Sequence, residues 1–283
     1  MDELVIAYEA AIRMSFFLGV FALMAFWEVL SPRRRPVLSK MLRWGNNLGL
    51  VIFNSILLRF IFPAAAVGVA ALASEQGWGL LNYYPLPLWL SLAISLFVMD
   101  FVIYLQHILM HAVPILWRLH RVHHADLDYD VTTGARFHPI EIILSMLIKF
   151  VTIVALGPTI VAVVIFEIVL NAMAMFNHAN VRLPLRMDHV LRQLIVTPDM
   201  HRVHHSVDYD EANSNFGFNL AFWDRWFGTY RDQPRAGHEQ MIIGIQNYRT
   251  PGEVTWIHGI LWLPFRGTVG NYAINRSRSL KEE

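Results

Sequence analysis

The sequence predicts an all-α, multi-spanning membrane protein with about four transmembrane segments and a cytosolic histidine-rich cap. Three observations carry this. The 283 residues are 55% hydrophobic and only 16% charged, which is too apolar for an ordinary soluble domain. The apolar residues come in blocks long enough to cross a hydrocarbon layer, which takes roughly 20 residues. Of the 13 histidines, most are crowded at the ends of those blocks and in short clusters beyond them.

The first block, about Ala11–Leu30, lacks a basic leader and contains Glu28 in place of a small-residue cleavage site, so it reads as a retained helix rather than a signal peptide. The second, about Asn47–Ala73, is interrupted by Arg59 and Pro63. Arg59 is expected to play a structural role, snorkelling to the interface or facing the protein interior. The third runs from about Leu86 to Met110 and becomes polar towards its end. The fourth, Ile140–Phe176, is long enough for two antiparallel segments, with a break at Gly157-Pro158.

Loop charge orients these blocks. Ser31–Arg43 carries Arg33, Arg34, Arg35, Lys40 and Arg43 without an acid, whereas Ser74–Pro85 carries Glu75 and no lysine or arginine. The positive-inside rule makes the first loop cytoplasmic. The N-terminus is then outside, and the third block delivers its histidines to the cytoplasmic face. A hairpin from the fourth returns the chain to the same face. Residues 111–139 and 177–283 form the cap, with aromatic stretches such as Ala221–Tyr230 at the interface, and 1–283 reads as one domain. A net charge near zero gives no field for nucleic acid. The absence of cysteine removes thiolate sites and leaves imidazole and carboxylate as metal ligands.

In MDFVIYLQHILMH, a helix puts Asp100, Tyr104, His107 and His111 on one face, offering two imidazoles one turn apart with a phenol and a carboxylate behind them. HRVHH then occurs twice, at His120–His124 and His201–His205, each followed by Asp-Tyr-Asp. A triplet at i, i+3 and i+4 can give two nitrogens to one metal and one to another. The flanking sequences differ, so this is recurrence of a ligand pattern rather than a tandem repeat. His107, His111, His120, His123, His124, His201, His204 and His205 exceed what one tetrahedral ion uses, so two metals are expected, and iron, zinc, copper or nickel all suit imidazole. Asp126, Asp128, Asp130, Asp208 and Asp210 are candidate acceptors behind the ligands, although capping or solvated loop roles are the more ordinary reading. His138 and His178 fall at membrane-helix ends, where each could complete the site or serve structurally. His189, His238 and His258 belong to no cluster. There is no HExxH, GxSxG, GxxxxGK[ST] or GxGxxG, which disfavours a thermolysin-like protease and means electrons must come from elsewhere.

The order HxxxH, HxxHH and a distant HxxHH resembles the fatty acid hydroxylase/sterol desaturase superfamily. The likeness extends to WRLHRVHH, ARFHPIE, FNHAN, TPDMHRVHH and NSNFGFNLAFWDRWFGTY, and covers about Met99–Arg231. It implies a non-haem site of two iron ions, where zinc or another metal can stand in a purified sample. The eight histidines carry over as ligands. His178 matches a further histidine of the family, and His138 is a possible additional ligand. Arg182 stands where some members have another histidine. The activity implied is use of O2 to hydroxylate or desaturate a C–H bond of a lipid such as a fatty acyl chain, sterol or alkylglycerol. No stretch resembles a fused cytochrome b5-like domain, so the implied electron donor is external, of ferredoxin or cytochrome b5 type with a reductase. Lipid substrate, bilayer and donor are thus the expected partners, and nucleic acid is not. The expected location is a bacterial inner membrane, multi-pass, with the site facing the cytoplasm. A histidine-rich metal transporter or metal-storage protein, or a scaffold with a structural metal, are the competing readings.

Overall fold

A computed structural model describes residues 2–269 and residue 274, and the cap residues 270–273 and 275–283 lie outside it. The helices are α1 (Asp2–Leu30), α2 (Lys40–Ile61), α3 (Ala65–Glu75), α4 (Leu80–Tyr83), α5 (Leu88–Ala112), α6 (Pro114–His124), α7 (Pro139–Leu156), α8 (Ile160–Asn177), α9 (Leu185–Leu191), α10 (Pro198–His204), α11 (Tyr209–Ala212), α12 (Phe222–Trp226), α13 (Gly237–Gln240), α14 (Pro251–Val254) and α15 (Ile257–Trp262). Among the described residues there is no strand, only isolated bridges such as Pro32 to Val181. The all-helical class is therefore as expected.

Among the described residues, five helical stretches are long and apolar enough to cross a membrane: Ile6–Leu30, Lys40–Tyr83, Leu88–Ala112, Pro139–Leu156 and Ile160–Asn177. The count is five rather than about four because the fourth apolar region folds as two helices. Gly157 ends α7 in the left-handed region (φ 69°, ψ 47°), and Thr159 then caps α8 by accepting from the Ala162 N–H at 3.2 Å. The second stretch breaks where the sequence placed the break. Pro63 restricts Phe62 to a non-helical conformation, α2 ends at Ile61, and Arg59 donates to the Pro63 carbonyl at 3.0 Å.

α1 packs along α8, α3 packs against α7 and α8, and α5 lies beside α6, α7 and α8. Charges inside the bundle are paired. Glu167 on α8 accepts from Lys149 on α7 at 2.7 Å and faces Arg13 on α1 at 3.0 Å. At the histidine-bearing end, the Arg43 guanidinium forks onto Asp126 (2.8 and 2.7 Å) and reaches Asp130 at 2.5 Å. Glu28 accepts from the backbone N–H of Val131 (2.7 Å) and Asn180 (2.9 Å), tying the loops after α6 and α8 to the end of α1. The basic loop lies against the cap: Arg33 bonds Asp199 at 3.2 Å, and the Arg34 N–H donates to Asn180 at 3.0 Å. Basic loop and histidine groups therefore share one end of the bundle.

Candidate metal centre

Both HRVHH copies end a short helix that opens on proline at its first position: Pro114 begins α6 and Pro198 begins α10. Proline has no N–H to lose there and a φ suited to the first turn. Thr197 adds a cap to α10, accepting from the Met200 N–H at 3.3 Å. In both copies valine is in the core, with Val122 and Val203 fully buried. The arginines fasten other segments. Arg121 donates to the carbonyls of Leu263, Arg266 and Thr268, and Arg202 pairs with Asp199 and reaches the Ala179 carbonyl.

The histidines of α5, α6, α10 and the end of α8 converge in two buried groups. One comprises His107, His111, His120, His124 and His204, and the other His123, His178, His201 and His205. Within each group the ligand atoms lie within 4.8 Å of one another. The triplets split in opposite senses. His120 and His124 join the first group and His123 the second, whereas His201 and His205 join the second and His204 the first. The groups abut, with the rings of His124 and His205 stacked at 4.5 Å.

Hydrogen bonding fixes the tautomers. Nδ1 donates from His107 to the Phe216 carbonyl (2.8 Å) and from His204 to the Ser214 carbonyl (2.7 Å). His178 donates likewise to the Ala174 carbonyl (2.8 Å), His120 to the Glu141 carboxylate (2.6 Å) and His111 to Asn213 Oδ1 (3.3 Å). A neutral imidazole that donates from Nδ1 has a bare lone pair at Nε2. Yet Nε2 of His107 stands 3.1 Å from that of His120 and 3.0 Å from that of His204. The Nε2 atoms of His178 and His123, and of His201 and His178, are each 3.1 Å apart. In the first group the bare lone pairs of His107, His120 and His204 aim at one another and repel at this distance, and a cation between them removes the conflict. Nitrogens subtending about a right angle at a metal, with bonds of about 2.1 Å, stand roughly 3 Å apart. In the second group both ring nitrogens of His205 and Nδ1 of His123 and His201 are buried without a partner. The residues fit metal ions held by imidazole.

Burial, reinforced by neighbouring imidazoles, pushes His123, His124, His201 and His205 well below the ordinary histidine range. Burial does the same to His204 and lowers His178 to about 3. These side chains are neutral at physiological pH, the form that binds metal.

Nine candidate ligands thus come together, and His138 does not. It caps α7, where Nδ1 accepts from the Ile140 N–H (3.2 Å) and Nε2 donates to the Leu261 carbonyl (3.2 Å), which leaves it no lone pair to offer. The carboxylate and phenol expected behind the His107–His111 pair bond elsewhere, and the aspartates after the two triplets take the more ordinary capping, pairing or surface roles. Asp100 instead accepts from the Trp223 indole at 2.8 Å, and Tyr104 bonds Thr229 at 2.9 Å. Asp126 and Asp130 hold Arg43, and Asp128 caps the N–H groups of Val37 and Leu38, both at 2.8 Å. Asp208 and Asp210 pair with Arg235 at the surface. None of these bonds orients an imidazole. The carboxylate that does so is Glu141, whose signal was its place as the acid of ARFHPIE, at the head of an apolar helix. The carbonyls of Ala174, Ser214 and Phe216 have no signature in residue type.

Residues 92–229 match the fatty acid hydroxylase family model. The chain is similar to ornithine lipid hydroxylase OlsE of Rhizobium tropici, 26% identical over 80% of this chain and 69% of that protein. It is similar to alkylglycerol monooxygenase of Xenopus tropicalis, 31% identical over 60% of this chain and 37% of the relative. Fatty acid hydroxylase vlmA of Lecanicillium sp is 29% identical over 51% of this chain and 43% of its own length. The chain thus spans less than half of these last two relatives. No solved structure matches it significantly. With its buried histidine groups, its membrane-length helices and these relatives, the chain carries a fatty acid hydroxylase family match over residues 92–229 and is similar to members of the fatty acid hydroxylase/sterol desaturase superfamily.

Proposed function

We propose that this chain is a membrane lipid hydroxylase, with His107, His111, His120, His124 and His204 holding one iron ion and His123, His178, His201 and His205 another. The observation that carries the reading is the convergence of nine buried imidazoles in two adjoining groups with bare nitrogens facing inward. When bound, the ions would supply reductive activation of dioxygen, so that R–H, O2, two electrons and two protons give R–OH and water. The electrons would come from an external ferredoxin or cytochrome b5 type donor with its reductase. The chain's own residues supply neutral ligands, orient them through Glu141, Asn213 and the three backbone carbonyls, and exclude water. Phe216, buried, sets its ring 5.1–5.5 Å from those of His107, His111 and His204. The relatives' names span an ornithine lipid, an alkylglycerol and a fatty acid, which supports a long alkyl or acyl chain under a polar head as substrate. Desaturation would use the same apparatus. The positive-inside rule and the packing of the basic loop on the cap support a cytoplasmic site.

Lipid mass spectrometry of cells with and without the gene, beside His204→Ala, tests this. A lipid heavier by one oxygen, or lighter by two hydrogens, is expected only with the intact protein. Purified protein should carry about two ions, in line with the two histidine groups. Metal flux across vesicles without any oxygen-dependent product would replace the proposal with a transporter.

A further inference from the structure

The cap does not all lie beyond the histidine-bearing end of the bundle. α12 lies against the middle of α5: Phe222 stacks on Phe97 (6.0 Å), the Trp223 indole donates to Asp100 (2.8 Å), and Phe227 stacks on Phe101 (5.7 Å) and Tyr104 (5.6 Å). At 1.5 Å per residue, Leu88 to His107 is about 28 Å, close to a whole hydrocarbon layer of about 30 Å. Leu88 to Asp100 is only about 18 Å, so Trp223 sits about 10 Å short of the level of His107. α12 is level with the part of α5 that crosses the membrane.

Its outward side suits that depth. Trp226 is 65% exposed and Phe227 54%. The neighbouring run is joined to α12 by backbone bonds, with the Ala221 N–H on the Leu194 carbonyl (2.9 Å) and the Val196 N–H on the Asn219 carbonyl (3.0 Å). That run and α9 before it expose Leu185 (76%), Val190 (67%) and Leu194 (61%), beside exposed Arg186 and His189, whose polar ends must reach the headgroup level. Water would be a poor solvent for such a patch. The one charge on α12 with a free path outward is turned inward: Arg225 donates to the Ala221 carbonyl and stands 4.2 Å over the Tyr230 ring. The non-helical backbone here is hydrogen-bonded within the protein, the condition for its tolerance at membrane depth.

We propose that α12, with α9 and the run to Leu194, is a re-entrant wedge seated among the acyl chains of the leaflet on the histidine side. The occupant of its outer face is lipid, because the face continues the exposed apolar surface of α5, where Phe97, Leu105 and Leu109 are also exposed. The wedge and the site are one structure. The loop from Ser214 to Phe216 that provides the acceptors behind His204 and His107 is held by the same aspartate, Asp224, that belongs to α12 and accepts from the Phe216 N–H at 2.7 Å. Lipid therefore holds the frame that orients two ligands of the first group. The inference rests on the membrane reading of α5 and is independent of the reaction catalysed.

The chain has no cysteine, so single cysteines report cleanly. Val190→Cys, Trp226→Cys and, as water-facing references, Gln240→Cys and Asn247→Cys would be placed in phosphatidylethanolamine/phosphatidylglycerol liposomes with metal content checked. A thiol among acyl chains stays protonated, so a membrane-impermeant maleimide should label positions 190 and 226 about tenfold or more slowly than the references. The difference should vanish in SDS. A nitroxide on the same cysteines should be relaxed by lipid-soluble oxygen and not by an aqueous nickel chelate. Reference-like rates at 190 or 226 in metal-loaded protein overturn the proposal. So does slow labelling without oxygen access, which would mean a protein covers the face. Neither result bears on hydroxylation, which lipid mass spectrometry reads separately.

Discussion

His120 and Glu141 show how one side chain sets the chemistry of another. The Glu141 carboxylate accepts a hydrogen bond from Nδ1–H of His120 at 2.6 Å, and this tautomer turns Nε2 towards His107. Removing a partner of this kind commonly weakens metal binding by about 10–100-fold. Glu141→Gln keeps an oxygen for the same proton but loses the charge, so it should release metal to a competing chelator within that range. Glu141→Ala should do worse, and unchanged retention in both would remove the role given to Glu141. The ligands were legible in the sequence because their spacing is a helical one. Glu141 was half legible, since its phrase was singled out but attention fell on His138. The carbonyls of Phe216 and Ser214 were invisible, because any residue type supplies a carbonyl and only the fold aims it. HRVHH was also read only in part. Its histidines looked like ligands, but Arg121 and Arg202 as carbonyl clamps need long-range partners that no local pattern contains.

Helices must approach closely for these side chains to meet. Residues Thr133–Ala135 form a tight turn on the end of α8, where a Cβ on Gly134 would come 2.3 Å from the Ala174 carbonyl oxygen and 3.1 Å from His178 Nδ1. Gly134→Ala must displace backbone, and overpacking of this kind costs about 1–3 kcal/mol. The displaced carbonyl is the one that orients His178, so the variant should lose metal from the second group before the first. Stepwise metal analysis against chelator would show this, and equal loss from both groups would contradict it. Farther along the bundle, Glu167 joins α1, α7 and α8 through Arg13 and Lys149. Glu167→Ala strands Lys149 in an apolar bundle while Arg13 keeps Glu9, and breaking a buried pair from one side costs about 3–5 kcal/mol. A lowered midpoint in detergent unfolding is expected, with Lys149→Met on top of Glu167→Ala restoring part of the loss. The long helices were legible because an apolar run of membrane length permits few structures. The short helices of the cap, α9 to α15, carry too few residues for any periodicity to appear.

For the molecule as a whole, the histidine groups pull in the opposite sense to ordinary surface histidines. His123, His124, His201, His204 and His205 are held neutral by burial, and His178 titrates at about 3. In the unfolded chain each would titrate near 6.5. A folded value below the unfolded one means that the folded state binds fewer protons, so stability is highest above about pH 6.5 and falls as the pH drops below it. Metal acts in the same direction, since an ion bound only by the folded chain stabilises it by mass action. Chelation should therefore lower Tm at every pH. In the metal-free protein Tm should be nearly flat from pH 8 to about 7 and then fall steeply below about 6.5. In the loaded protein the same acid should first release metal, so that Tm and metal content decline together. Thermal unfolding in nanodiscs across pH 5–8, with metal measured in parallel, checks both limbs. A Tm indifferent to chelator would mean that the two histidine groups are not what holds α5, α6, α8 and α10 together. A metal-free Tm that rose on acidification would mean that these imidazoles are paired with carboxylates rather than with one another.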